Sequence, residues 1–273
     1  MKKILITLAA ITCTVSAALA QKEIKYEKLY YKNATAENSE VSILIDNAVS
    51  TAGETKLKLK ITNKTNDYII YKPEESIFII NGKEMKPKEK WLILSPNESD
   101  FKVVNMKGEN YNAVKNYAFT VAGLYKVTVG DKAITAPDFK LPPSKNDFKA
   151  GNFDCSLVKV YKETDATDAK FKCTYTGNNV GFIYPAKIAV KMPDGNDYAN
   201  AKAKSKPVML MKGEEDTFTL HWDKFNGGKA MDMQFVEMMI KWNDAFAEGT
   251  TEKMKSETIQ LEFDQATSDA KAK

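Results

Sequence analysis

Side chains able to do covalent or metal chemistry are few in this chain. Beyond the first twenty residues there are two cysteines, Cys155 and Cys173, and one histidine, His221. Zinc takes three or four Cys, His or carboxylate ligands, so neither a metal nor a cofactor is expected. His221 sits in Phe218-Thr219-Leu220-His221-Trp222 and reads as a strand residue beside a tryptophan. No serine lies in a Gly-x-Ser-x-Gly elbow, and the cysteines have no obvious histidine partner. Asp194-Gly195-Asn196-Asp197 lacks the spacing and terminal glutamate of an EF-hand and reads as a turn. Gly227-Gly228-Lys229 is too short for a phosphate loop and reads as a hairpin loop. Glu74-Glu75 and Glu214-Glu215-Asp216 fall in predicted turns, where solvated charge is the default. A glycosidase-type pair would draw its carboxylates from distant parts of the chain, which keeps a glycan-directed hydrolase as an alternative. The expectation is a protein that is not an enzyme.

Cys155 alternates with Phe153 and Leu157, and Cys173 with Phe171 and Tyr175. A hairpin about Asp165 places the two cysteines nearly opposite and on one face, close enough to bridge. Two readings stand. One is a disulfide closing a loop of about 17 residues, worth roughly 3 kcal/mol in the entropy account. The other is a pair of buried thiols acting as small hydrophobes. For binding, the candidates are aromatic: Tyr68 and Tyr71 beside one polar corner, Phe182 and Tyr184 beside a second, and Trp91 near a loop. Aromatics at the rim of a sandwich stack on sugars or anchor protein partners. The same residues also read as half-buried strand positions.

The elements that would carry these residues are strands. Leu57, Leu59 and Ile61 alternate with lysine and threonine, as a half-buried antiparallel strand does. Val41, Ile43 and Ile45 alternate likewise. Ile77-Phe78-Ile79-Ile80 runs into Asn81-Gly82, the strongest short hairpin signal, because both turn residues need positive φ. Trp91 to Leu94, Phe101 to Met106, Tyr117 to Val121 and Leu124 to Val129 supply further short strands. Ala230 to Trp242 fits a helix through Met231, Phe235, Met238 and Trp242. Comparison with the Val, Thr and Tyr content of FTVAGLYKVTV favours strand for Gln234 to Trp242.

That comparison rests on a repeat. Lys56 to Pro73 and Lys170 to Pro185 share a layout of strand, polar corner and strand. Pro193-Asp194-Gly195 stands where Asn81-Gly82 stands, and Met211 to Phe218 matches Leu94 to Phe101. Phe119 and Leu124 are matched with Phe235 and Ile240. The offset is about 113 to 116 residues. The expected organisation is a signal peptide at 1–20, an extended segment at 21–40 and a β-sandwich at 41–141. A Pro-rich linker at 142–152, a second sandwich at 153–264 and a disordered tail at 265–273 follow.

MKKILITLAAITCTVSAALA has a basic n-region at Lys2 and Lys3, an apolar core and a small-x-small site at Ala18-Leu19-Ala20, the pattern of a secretory signal cleaved near Ala20. An extracytoplasmic location, periplasmic or secreted, is expected. A lipid anchor at Cys13 fits poorly, since Ala10-Ile11-Thr12 is a weak lipobox. No later segment reaches about 18 apolar residues, so no transmembrane span is expected. The formal net charge is +4, and +2 without Lys2 and Lys3. There is no arginine, the preferred bidentate reader of phosphate and guanine edges. Nucleic acid is therefore not an expected partner.

The strand pair Leu57 to Tyr71 with its polar corner, followed by the Pro-, Asn- and Glu-rich turn Ser95 to Ser99, resembles bacterial extracytoplasmic immunoglobulin-like domains, many of unknown function. The resemblance covers most of the mature chain and implies an all-β fold of two tandem antiparallel sandwiches in the cell envelope. It carries no catalytic residue across. Binding, adhesion or an envelope role is expected, with a protein or glycan partner. Docking to another secreted protein by strand addition is a further alternative.

Overall fold

The structure is a computed structural model that describes residues 26–203, 206–224 and 232–272. The expected signal peptide, its cleavage near Ala20, Cys13, Met231 and the Gly227-Gly228-Lys229 loop lie outside the described residues. Strands dominate. The N-terminal half carries β1 (Leu29–Tyr30), β2 (Ala34–Glu37), β3 (Val41–Ser50), β4 (Glu54–Asn63), β5 (Tyr68–Tyr71), β6 (Ile77–Ile80), β7 (Lys83–Met85), β8 (Leu92–Leu94), β9 (Ser99–Lys107), β10 (Asn116–Val121), β11 (Leu124–Val129) and β12 (Phe139–Leu141). The C-terminal half carries β13 (Asp147–Ala150), β14 (Phe153–Lys162), β15 (Ala166–Tyr175), β16 (Val180–Ile183), β17 (Ala189–Lys191), β18 (Asp197–Ala199), β19 (Val208–Leu210), β20 (Glu215–Asp223), β21 (Met238–Lys241), β22 (Phe246–Lys253) and β23 (Glu257–Glu262). One helix, α1 (Gln265–Lys271), follows.

Alternation does what it should locally. In β4, Leu57, Leu59 and Ile61 are buried, and the lysines between them turn outward. Asn81 and Gly82 have φ of 52° and 74° and close the two-residue hairpin between β6 and β7. The halves share a strand plan. The sheet β2-β3-β4-β9 in one has its counterpart in β13-β14-β15-β20 in the other. The sheet β23-β10-β6-β7 has its counterpart in β12-β21-β17-β18. A six-stranded sheet, β19-β16-β22-β11-β5-β8, takes three equivalent strands from each half and reads the same from either end.

Two strands leave their own half. β12 ends the N-terminal half yet pairs β21, and β23 ends the C-terminal half yet pairs β10. Phe139 and Leu141 pack in the core with Phe171, Trp222 and Trp242, whereas Ile259 and Leu261 pack with Ile43, Ile61 and Phe119. With the central β11–β22 pair, these form one antiparallel ribbon. It runs from Asn116↔Glu262 through Val129↔Gly249 to Phe139↔Ile240. Each core is thus completed by a strand the other half supplies.

The central sheet is curled. In a flat sheet β5 and β16, three steps apart, would lie about 14 Å from one another. Yet the rings of Tyr68 and Phe182 are 5.3 Å apart. Lys206, just before one edge strand, reaches Glu98, just after the other, at 2.6 Å. The inner face holds a third apolar cluster of Ile70, Val127, Val180, Phe182 and Ala247. Where β10 passes into β11, Gly123 takes φ of 75°, and a Cβ there would lie 2.4 Å from the Lys72 carbonyl oxygen. Only glycine fits a backbone approach that close.

Several local expectations are corrected. The 142–152 segment is not free of ladder bonds, because β13 pairs β14 from Asp147 to Ala150. The tail is helical. Asp264 caps α1 through the Thr267 N–H at 3.0 Å, and buried Ser268 accepts from the Tyr30 N–H at 3.0 Å. The extended N-terminal segment contributes β1 and β2 to a sheet. Of Gln234–Trp242, only Met238–Lys241 is strand, and Asp232 to Phe235 forms a turn. The partner of Phe119 in the repeat is Ile240 rather than Phe235. Phe119 faces Phe78 on β6, and Ile240 faces Val190 on β17, the equivalent strand.

Candidate functional site

The cysteines form a disulfide between directly opposed residues of β14 and β15. Ile43 and Ile61, each 112 positions earlier, oppose one another on β3 and β4. The bridge therefore stands where the N-terminal half keeps an apolar pair.

The aromatic candidates separate. Tyr68, Phe182, Tyr184 and Trp91 all belong to the inner cluster of the curled sheet. Tyr71 points the other way, is fully buried in the N-terminal core and shares a 2.9 Å hydrogen bond with Ser76. Phe182 is also fully buried, and Tyr184 stacks on it at 6.0 Å. The Trp91 indole donates to Glu74 at 2.7 Å, and Lys72 lies 4.4 Å over its ring. Lys187 covers the Tyr184 ring at 4.6 Å. Burial pushes the Tyr184 phenol up, and Tyr68 adds to the shift.

His221 is buried on β20 between two carboxylates. Its Nδ1 lies 2.7 Å from Asp168 and its Nε2 2.7 Å from Asp223. Both contacts are hydrogen bonds only if both ring nitrogens carry protons. Burial alone pulls the imidazole pKa down, but the bonds and charges of the two aspartates outweigh it, and the net shift is upward. The His221 backbone also holds Asn200 and Ala201, at 2.9 and 2.8 Å. Among the described residues, no group of three or more His, Cys, Asp or Glu is placed to hold a metal ion. No described helix is long and apolar enough to cross a membrane.

A cleft of about 810 Å³ opens where the chain crosses from one half to the other. The Gly130 N–H bonds the Glu248 carbonyl at 2.8 Å and the Ile134 N–H bonds the Phe246 carbonyl at 3.0 Å. Between these rungs Asp131, Lys132 and Ala133 swing out of the ladder and make one wall. Interruptions of this kind re-aim side chains. The β13–β14 turn supplies Gly151 and Asn152, the approach to β16 supplies Asn179, and β22 supplies Glu248 to Thr250. Asn152 Nδ2 donates to Glu248 Oε1 at 2.7 Å. The Asn152 carbonyl is held by the Thr176 N–H and hydroxyl, both at 2.9 Å. Buried Tyr175 stands behind Glu248; burial, then that carboxylate, pushes its phenol up. A Cβ at Gly249 would lie 2.8 Å from the Phe182 ring and 2.9 Å from the Thr128 carbonyl, so a side chain there would spread the floor. Sequence reasoning named none of these cleft residues. The turn glycines and asparagines were the available signal, but the cleft exists only once β11 and β22 pair.

No protein-family model matches the chain, nor does any curated protein compared with it. Among solved structures, it is similar to one titled "pT26-6p", with TM-score 0.24 and 8% identity over 88% of this chain. The chain spans 65% of that structure's length. It also aligns with AerE from Microcystis aeruginosa at TM-score 0.12 and 9% identity, over 89% of this chain and all of the other.

Proposed function

We propose that this is an exported, non-enzymatic binding protein of two immunoglobulin-like repeats, whose ligand occupies the cleft at the crossing of the halves. The observation that carries this reading is convergence. The cleft falls within the range of small-molecule sites, about 300–1,000 Å³, and residues from both halves turn polar groups into it. His221 and the disulfide lie elsewhere, which favours recognition over nucleophilic chemistry. The inner aromatic cluster supports the same reading indirectly. Its rings are occupied by one another and by lysines, and it serves to hold the curled sheet on which β22 presents Glu248. The export signal in the sequence and the disulfide agree with an oxidising compartment.

Hydrogen exchange tests this reading directly. A panel of sugars, amines and dipeptides is added to the purified chain, and a bound ligand slows amides at 128–135, 151–152 and 248–250. If binding slows other amides and leaves these unchanged, the cleft is not the site. Glycan hydrolysis is the second reading, favoured because Asp131 and Glu248 line the same cleft. Turnover of an oligosaccharide, abolished by Asp131→Asn or Glu248→Gln, would select it. Strand addition has its own edge in β9, where Phe101 is 51% and Val103 45% exposed. A pull-down lost on changing both to Lys would favour it.

A further inference from the structure

We infer that the cleft takes a neutral saccharide, with Glu248 and Asn152 as the pair that grips adjacent hydroxyls. The inference rests on the reading of the cleft as a ligand site and names the ligand's class.

The chemistry of the walls selects that class. Glu248 is half-buried; its Oε1 accepts from Asn152 Nδ2, and the buried Tyr175 hydroxyl lies against the same carboxylate, so the group is held at a set position. Asn152 is fixed in turn through its own carbonyl. A carboxylate beside an amide offers an acceptor and a donor–acceptor in one rigid unit, and a sugar's vicinal hydroxyls, each both donor and acceptor, match it. Asn179 adds a second amide to the lining. Val129 and Ile134, both half-buried, supply an apolar strip against which the C–H face of a sugar ring can lie.

Charge excludes the main competitors. Asp131 and Glu248 face one lysine, Lys132, so a phosphate or carboxylate ligand meets net repulsion. An apolar ligand would strip water from the amides and Glu248 without replacing their hydrogen bonds, at a cost that burial does not offset. An amine is attracted by Glu248 and can donate to the amide carbonyls, but it offers no acceptor to the amide N–H groups, which a hydroxyl does. A sugar hydroxyl bonded to a fixed carboxylate makes a charge-assisted bond, the stronger kind.

The test is calorimetric titration of the intact chain with neutral oligosaccharides based on glucose, galactose, mannose and N-acetylglucosamine. Spermidine, lysine and dialanine form the comparison arm, and hydrogen exchange is read at the cleft amides in both. At least one saccharide is expected to bind and to slow those amides. Glu248→Gln keeps the shape and removes the charge, and should weaken binding about tenfold to a hundredfold. Should Glu248→Gln fail to fold, Asn179→Ala, at an exposed position, should give a loss in the same direction. If only an amine or the dipeptide binds and protects the cleft, the saccharide assignment is overturned while the cleft stands as a site. If a saccharide binds with full affinity to both folded variants, or protects other amides, the assignment is wrong. If no compound in either arm protects the cleft, both the assignment and the cleft reading fall.

Discussion

Replacing Leu261 with alanine should weaken a core some 140–220 residues away in sequence. Leu261 is fully buried in the N-terminal core, opposite Tyr117 of β10. The substitution removes three carbons, worth about 2.4 kcal/mol at roughly 0.8 kcal/mol per methylene. The cavity left behind brings the expected cost to about 2–5 kcal/mol. That is a large share of the 5–15 kcal/mol typical of a folded domain. Every 1.4 kcal/mol is tenfold in an opening equilibrium, so the slowest amides of β3, β4, β6 and β10 should exchange at least about thirtyfold faster. Native-state hydrogen exchange at fixed pH reads this strand by strand. The mirror-image change is Phe139→Ala in β12, which should act on β14, β15 and β20 at a cost of about 3–5 kcal/mol. If Leu261→Ala accelerates exchange only in β14, β15 and β20, then β23 serves its own half and the reciprocal exchange of strands is wrong.

His221 should make stability depend on pH. Its folded pKa is raised, so its contribution is complete below the unfolded value near 6.5 and is lost as pH rises through the folded pKa. The loss is moderated because the two aspartates are partly exposed to solvent. Urea midpoints from pH 5 to 9 measure it, and a double Asp168→Asn, Asp223→Asn variant should flatten the curve; an unchanged slope would count against the arrangement. Cutting the disulfide by Cys155→Ala and Cys173→Ala should cost about 3 kcal/mol for this short loop. It should act on the C-terminal core first, as dithiothreitol with urea unfolding can show. Gly249→Ala should lower the melting temperature and abolish ligand binding at the cleft, because the added methyl meets Phe182 and the Thr128 carbonyl; a variant that melts and binds normally would refute the packing.

What could be read from the chain and what could not divide along sequence distance. Leu57, Leu59 and Ile61 announce a strand because their neighbours alternate with them, and Asn81-Gly82 announces a turn because few other residues take positive φ twice. Cys155 and Cys173 were legible as an opposed pair because a single hairpin sets their register. The aspartates of His221 were harder. Asp223 is two residues away, but Asp168 comes from the neighbouring strand, and only the β15–β20 register brings it to the ring. The turn at Asp232 to Phe235 was missed because Met and Phe fit strand, helix and turn alike until packing decides.

The repeat, the strand-rich composition and the hairpins followed from local side-chain chemistry, which acts within a few residues. The exchange of β12 and β23, the curl of the central sheet and the cleft at their crossing belong to the tertiary structure alone. A backbone ladder pairs N–H with C=O whatever the side chains are, so the sequence pattern of a strand marks which face is buried and leaves open which neighbour it joins. That choice is made by which core receives Phe139 and Leu141, and which receives Ile259 and Leu261.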